Sequence, residues 1–159
     1  SKLFIIGKTN VNTFKCEYDI LMLNKSVPVS FKKHSDKITF EKTVLVLDNI
    51  NFDCGGPGIN NDFHALLKTK THPKVFIKLK EITRDKINEK LISVLVDLEI
   101  AGVTKPYKIP VELKEDGAMM VKGVLALNIR DFNLEPPKKA LGMIVVKDVI
   151  EINFDLTLK

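Results

Sequence analysis

Period-two alternation of apolar and polar residues is the sequence feature that most restricts how this chain can fold. In segment after segment every second residue is apolar and many of the residues between are charged, as in Ile92–Ile100 and in the last segment, 146–158, where Asp148 is the lone charge on the apolar set. Such segments are typical of β-strands with one buried face. The connections at 102–104 and 115–117 are short, so neighbouring strands are expected to run antiparallel. About eight long strands of this kind close as a barrel or pack as a sandwich.

Two stretches at the start and middle of the chain modify this pattern. Residues 3–18 are expected to form one long strand with a bend at Gly7. The glycine- and proline-rich stretch 55–58 cannot continue a strand, and Asn60 or Asn61 can cap a helix directly after it. The helix would present one apolar stripe, made of Phe63, Leu66 and Leu67. We expect this short helix to close one end of the barrel, and to be the element that moves if a ligand enters.

Length and charge exclude several classes of protein. A chain of 159 residues is expected to form a single domain, 1–159. It contains no run of 18 apolar residues, so no membrane span is expected. The net charge of +5 is spread along the chain, and only two arginines are present, which disfavours nucleic acid as a partner. The chain begins with Ser1, which we interpret as a processed or tagged form from which any signal peptide is already gone.

Residue patterns for catalysis or metal binding are missing from the sequence. There is no Gly-x-Ser-x-Gly elbow, and Asp62 and His64 are two positions apart on the predicted helix, so their side chains point apart. The three histidines, His34, His64 and His72, lack metal-ligand spacing. We therefore expect no enzyme activity, no metal and no cofactor.

The two cysteines leave two alternatives open. Cys16 and Cys54 are either two buried free thiols or one disulfide, which would indicate an oxidising compartment.

The apolar face of the strands is the candidate binding site. An eight-stranded barrel is wide enough to be filled by its own side chains or to hold one small ligand. Gly123 lies in the middle of an apolar face, where the missing side chain opens the lumen or marks a bulge. Both alternatives stay open from the residues alone. The lumen candidates are Phe14, Ile77, Leu79, Val94, Val96, Leu98, Ile109, Val111, Leu125, Leu127, Ile129 and Phe154.

The order of several short motifs resembles that of the YceI-like family of periplasmic, lipocalin-like β-barrels. The motifs are the helix at 61–67, the strand opening at 71–76, the Gly-x-Thr-Lys-Pro turn ending at Pro106, the stretch 130–134 and the closing strand 146–158. The resemblance covers essentially the whole chain. It implies an eight-stranded antiparallel barrel that is periplasmic or secreted and binds an isoprenoid or fatty acyl chain in its lumen. The alternative is a filled barrel acting as a structural or stress-related interaction protein, or, further away, a hydrolase.

Departures from the family pattern affect the polar candidates. Asn61 stands where family members often carry Arg, so that arginine's contact with an anionic head group is not implied here. Asn61, His64 and Lys105 are weaker candidates for a head-group site. The Phe-x-Cys and Phe-Asp-Cys-Gly sequences around Cys16 and Cys54 resemble a variant branch, which favours a disulfide. A homodimer formed through a strand or the helix stays open.

Overall fold

The computed structural model describes residues 1–23, 30–88, 91–136, 138–139 and 144–158, with only the backbone described at 138, 139 and 158. Within these residues the chain forms β-strands and one α-helix, α1 (Pro57–Leu66). The strands are β1 (Lys2–Lys8), β2 (Thr13–Tyr18), β3 (Ser30–Lys33), β4 (Lys37–Glu41), β5 (Val44–Asp48), β6 (Phe52–Asp53), β7 (Lys74–Arg84), β8 (Ile92–Ile100), β9 (Val103–Asp116), β10 (Ala118–Asn128), β11 (Lys138–Lys139), β12 (Ile144–Val145) and β13 (Val149–Leu158).

One antiparallel sheet makes up most of the molecule. Its strand order is β3-β4-β7-β8-β9-β10-β13-β1-β2-β6, and β5 pairs with β7 beside β4. The sheet curls into a half-barrel of lipocalin type, which confirms the all-β, antiparallel prediction. The expected count of about eight strands is too low, because over the described residues this sheet has 11 strands and a separate two-stranded sheet joins β11 to β12.

The predicted long first strand is instead a hairpin. β1 and β2 pair antiparallel, with Ile5 opposite Cys16 and Gly7 opposite Phe14. The chain reverses between them because the Thr9 hydroxyl accepts the backbone N–H groups of Val11 and Asn12. A threonine side chain can close a turn in this way, and period-two alternation does not register such a reversal.

The turn between β8 and β9 adopts the backbone conformation that a two-residue hairpin requires. Between β8 and β9, Ala101 and Gly102 both have positive φ, 50° and 80°. Two consecutive residues with positive φ match the right-handed twist of the flanking strands. This turn therefore positions β9 directly beside β8.

The helix begins earlier than predicted. Pro57 is the first helical residue and Gly56 precedes it in an extended conformation. Proline suits this position, because its φ is preset and the N–H it lacks would have no partner inside the helix. Asn60 therefore does not cap the helix, and its side chain instead accepts the N–H of Cys54 and donates to Asp53. The predicted stripe faces inward: Phe63 and Leu67 are buried and Leu66 is half-buried.

The interior contains two apolar clusters. One lies beside α1 and includes Phe52, Phe63 and Phe132. The other lies among the strands and includes Phe40 and Val121. Four half-buried side chains pack against both clusters: Ile77, Tyr107, Leu125 and Phe154. The two clusters therefore form one continuous apolar interior.

β9 changes its pairing partner halfway along its length. Its first part pairs with β8, from Val103 opposite Ile100 to Val111 opposite Ile92. Its second part pairs with β10, from Val111 opposite Gly123 to Asp116 opposite Ala118. Among the described residues, β9 and β10 are not paired along the rest of their length, that is, between 103–110 of β9 and 124–128 of β10. β10 itself remains paired with β13 along this whole length.

Within the described ranges, no helix is long and apolar enough to cross a membrane.

Candidate functional site

Two small apolar cavities lie in the interior of the half-barrel. The strand-end cavity, about 50 Å³, is lined by residues of the strands alone. The helix-end cavity, about 40 Å³, is lined in part by Phe63, Leu66 and Leu67 of α1. Among the residues that the structure describes, all those lining either cavity are apolar. The site thus offers burial of apolar surface and no hydrogen-bonding side chain.

Ten of the twelve predicted lumen residues line these cavities. Those at the strand-end cavity are Ile77, Leu79, Val94, Val96, Leu98, Ile109, Leu125 and Phe154. Those at the helix-end cavity are Phe14, Ile77, Leu98 and Ile129. The structure brings them together because alternate residues of paired strands face the same side of a sheet.

Val111 and Leu127 line neither cavity. Val111 is half-buried against the strand cluster and also borders a groove on the outer surface. Leu127 is buried in the cluster beside α1. Both lie on the inward face of the sheet, as the alternation predicts. Alternation does not determine which of the inward side chains border a cavity.

Several lining residues were missed by the sequence analysis. At the strand-end cavity they are Leu3, Leu45, Ile82, Val121, Ile152 and Leu156. For Val121, Ile152 and Leu156, the same alternation that selected their neighbours was a sufficient signal. Leu45 lies in a run that is apolar on both faces, and Ile82 follows a register shift in β7 between Leu79 and Glu81. For Leu45 and Ile82 the alternation of the sequence therefore did not show which residues face the interior.

A partition of four aliphatic side chains separates the two cavities. Leu3, Ile77, Leu98 and Ile152 line both of them. These residues belong to β1, β7, β8 and β13, so the partition crosses the interior from wall to wall. Rotation of these four side chains is therefore a change that could join the two cavities.

Each cavity also contains a phenylalanine that lies over a glycine of the neighbouring strand. A Cβ placed on Gly7 would be 2.1 Å from Phe14 Cζ, and one placed on Gly123 would be 2.7 Å from Phe154 Cζ. In both cases the glycine is directly opposite the phenylalanine in the register. The missing side chain therefore lets each ring lie close to the wall, and any larger residue would displace the ring.

The three head-group candidates lie on two different elements. Asn61 is exposed on α1, and His64 is in the last turn of the same helix. The buried Nε2 of His64 has no hydrogen-bond partner among the described residues. Lys105 is exposed on β9, directly opposite the buried Leu98. No hydrogen bond or ion pair joins these side chains within the part of the chain described.

Titratable groups near the interior are few. Burial raises the pKa of the Tyr107 hydroxyl, and the negative charge of Asp131 raises it further. The Tyr107 ring stacks on the buried Phe132, with centroids 6.3 Å apart. Over the described ranges, no cluster of histidine, cysteine and carboxylate side chains is suited to hold a metal ion.

The helix end is tied by covalent and polar contacts. Cys16 Sγ and Cys54 Sγ are 1.99 Å apart, a disulfide that joins β2 to the segment before α1. Asp53 accepts the N–H of Gly55 and the side-chain N–H of Asn60, and these hydrogen bonds lower the pKa of Asp53. After the helix, Lys68 Nζ donates to the carbonyl of Asn133 at 3.2 Å. The segment before α1 is therefore attached to β2, and the segment after it is attached to the backbone at Asn133.

Three solved structures share this fold. The chain aligns with Burkholderia cenocepacia BcnA at a TM-score of 0.72 and 20% identity, covering 99% of this chain and 96% of that one. It aligns with a polyisoprenoid-binding domain from Saccharophagus degradans, implicated in plant cell wall breakdown, at 0.65 and 16%, covering 98% and 91%. It aligns with the Campylobacter jejuni YCEI protein at 0.56 and 18%, covering 84% of each chain.

Comparison with curated protein sequences gives no match. The family model for the YceI-like domain matches residues 7–158, nearly the whole chain. Together with the curled antiparallel sheet and its apolar interior, this match shows that the chain belongs to the YceI-like family.

Proposed function

We propose that this protein binds a long apolar chain, isoprenoid or fatty acyl, in the lumen of the half-barrel and performs no catalysis on it. The observation that carries the proposal is that two cavities with apolar described linings share four lining residues, Leu3, Ile77, Leu98 and Ile152. The polyisoprenoid-binding domain from Saccharophagus degradans, which has the same fold, supports the ligand class.

Binding requires the lumen to widen. The cavities of about 50 Å³ and about 40 Å³ are far smaller than the roughly 300–1,000 Å³ of a typical ligand pocket. Burial of apolar surface contributes about 0.8 kcal/mol per methylene, so a ten-carbon chain gains roughly 8 kcal/mol. Part of this gain offsets the repacking of the partition. The bound state is therefore a single tunnel in which the four partition side chains have rotated toward the walls.

A filled barrel is the second candidate, and the small cavity volumes favour it. In that case the side chains are the permanent contents of the lumen, and the protein acts as a structural or interaction protein. The two candidates differ in one measurable property, the uptake of an apolar ligand.

Native mass spectrometry and lipid extraction of the purified protein test the proposal. We expect a bound lipid, or uptake of an added isoprenoid alcohol or fatty acid at one molecule per chain. Leu98→Phe, which enlarges a partition side chain, is expected to abolish uptake. Val46→Phe, at an exposed position on β5, is the matched control and is expected to bind normally. A wild-type protein that carries no lipid and takes up none would sink the binding proposal in favour of the filled barrel.

The polar candidates support a head group outside the lumen. Lys105 has the inward parity of β9, because it is opposite Leu98, yet it is exposed. Within the described residues no carboxylate pairs with its ammonium group, so an anionic head group can contact it while the chain lies inside. The disulfide supports export to an oxidising compartment such as the periplasm.

A further inference from the structure

The wall of the half-barrel has a slit where β9 and β10 separate. Below the pair Val111–Gly123, segment 103–110 of β9 and segment 124–128 of β10 lack register with each other. Pro106 and Pro110 lie in the part of β9 that is paired with β8 but not with β10, and they have no N–H to donate. Proline within a sheet is confined to edges where the missing donor is not needed. We call this gap, between 103–110 and 124–128, the slit.

Exposure of the inward-facing side chains of β10 is greatest in the upper part of the slit. Val121, Leu125 and Leu127 have the same inward parity on one strand. Val121 and Leu127 are only 5% and 3% exposed, whereas Leu125, between them in the slit segment, is half-buried. Tyr107, on the opposite side of the slit, is also half-buried. On β10, solvent thus reaches the inward-facing Leu125 in the upper part of the slit, but neither Val121 above the slit nor Leu127 near its lower end.

Among the described lining residues, Phe154 alone borders both the strand-end cavity and the outer groove. It lines the strand-end cavity, and it also lines an outer groove of about 510 Å³ together with Val111, Gly123 and Val124. Its ring lies over Gly123, at the upper end of the slit. Movement of this one ring would therefore connect the outer groove with the lumen.

We propose that the slit is the lateral entrance through which an apolar chain reaches the lumen, with Phe154 as its gate. This inference rests on the proposed lumen-binding function. It assigns entry to the side of the half-barrel, in contrast to the end closed by α1, where a disulfide and hydrogen bonds hold the helix. The occupant is a single-chain amphiphile, because such a chain can pass sideways between strands and leave its polar head outside near Lys105.

Blocking the slit from outside tests the proposal. Val124→Cys places a thiol on the exposed face of β10 beside Gly123, and Val46→Cys places one on the exposed face of β5. The native cysteines are bonded to each other, so a bulky maleimide reacts only with the new thiol. We expect the label at 124 to slow the uptake of cis-parinaric acid by about tenfold or more, and the label at 46 to leave the rate within about twofold.

Equal uptake rates for the two labelled proteins would overturn the lateral entrance while leaving lumen binding intact. No uptake by the unlabelled protein would overturn both the entrance and the proposed function. Phe154→Ala adds a second arm: we expect both uptake and release to accelerate, with a smaller change in affinity. An unchanged uptake rate in Phe154→Ala would exclude the phenylalanine as the gate.

A measurement without ligand checks the slit directly. Leu125→Cys and Val121→Cys place thiols on the same face of the same strand, one inside the slit segment and one above it. We expect the thiol at 125 to react with a small apolar reagent, such as methyl methanethiosulfonate, at least about tenfold faster than the thiol at 121. Similar rates at the two positions would contradict a slit that opens to solvent.

Discussion

The helix end and the slit side of this half-barrel enclose the same apolar interior. The helix end does so with packed aromatic rings and a covalent bond, and the slit side with few contacts. At the helix end Phe52 packs edge-on against Tyr18 and Phe63, with ring centroids 5.0 and 5.5 Å apart, and a disulfide crosses the wall beside them. At the slit, two strands separate and a single ring lies over a glycine. From this difference we expect the helix end to be the more stable region and the slit side the more deformable one.

Removing the disulfide is expected to lower the unfolding free energy strongly, through the helix end. The two cysteines are 38 residues apart, and a loop of that length corresponds to roughly 4 kcal/mol in the chain-entropy model. We expect the double variant Cys16→Ser, Cys54→Ser to lose about 2–5 kcal/mol of unfolding free energy, measured by urea denaturation. Thiol titration of denatured wild-type protein is the companion check, since two free thiols would contradict the bond.

Truncation of one phenylalanine at each place should separate the two regions. Phe52 is 3% exposed, whereas Phe154 is half-buried. Phe52→Ala is expected to cost about 3–5 kcal/mol of unfolding free energy, and Phe154→Ala clearly less. Equal losses in urea denaturation would show that the slit side is packed as firmly as the helix end, and the comparison would fail.

Replacing a glycine by alanine should change stability in opposite directions at the slit and in the helix, by smaller amounts than the substitutions above. A Cβ at Gly123 would lie 2.7 Å from Phe154 Cζ and 3.1 Å from the Pro110 carbonyl oxygen, so Gly123→Ala is expected to destabilise by about 1–3 kcal/mol. Gly58 in α1 has open space around it, and Gly58→Ala is expected to stabilise by about 0.5–1 kcal/mol. Thermal melts of the two variants should shift in opposite directions.

The two regions should lose stability at opposite ends of the pH range. These changes in unfolding free energy are expected to be smaller than those of the substitutions above. Asp53, beside the helix, has its pKa lowered by the Gly55 N–H and by Asn60, so its contribution is present at neutral pH and is lost as pH falls through the folded-state pKa. Tyr107, at the slit, has its pKa raised by burial and by Asp131, so its contribution is lost as pH rises through the folded-state pKa.

Melting temperatures of Asp53→Asn and Tyr107→Phe across pH check this assignment. We expect Asp53→Asn to flatten the acid limb only and Tyr107→Phe to flatten the alkaline limb only. An unchanged acid limb in Asp53→Asn would show that its two hydrogen bonds do not contribute to the folded state.

The sequence predicted the walls of the lumen better than its openings. Alternation is a local property, and it placed Val94, Val96 and Leu98 on one inward face because the pleat repeats every two residues. Strand pairing is not local, and an alternating strand has the same pattern whether its edge is paired or free. The slit was therefore not predicted, although Pro106 and Pro110 were a visible signal for an unpaired edge.

Two boundaries were wrong for reasons of side-chain chemistry. The turn between β1 and β2 depends on hydrogen bonds to the Thr9 hydroxyl, which hydropathy does not record. The start of α1 is set by Pro57, whereas the asparagines after it were the more obvious caps. The family resemblance, by contrast, was confirmed, because it rests on the order of motifs along the chain and not on any single boundary.

The divided pairing of β9 has a consequence for hydrogen exchange. In segment 124–128, β10 is paired with β13 on one side only. Every second amide of a strand paired on one edge points away from its ladder, so exchange along this segment is expected to alternate between slow and fast from residue to residue. Above Gly123, where both edges are paired, the alternation should disappear. The exchange rates of the amide protons along β10 would thus locate the residue at which its pairing with β9 ends.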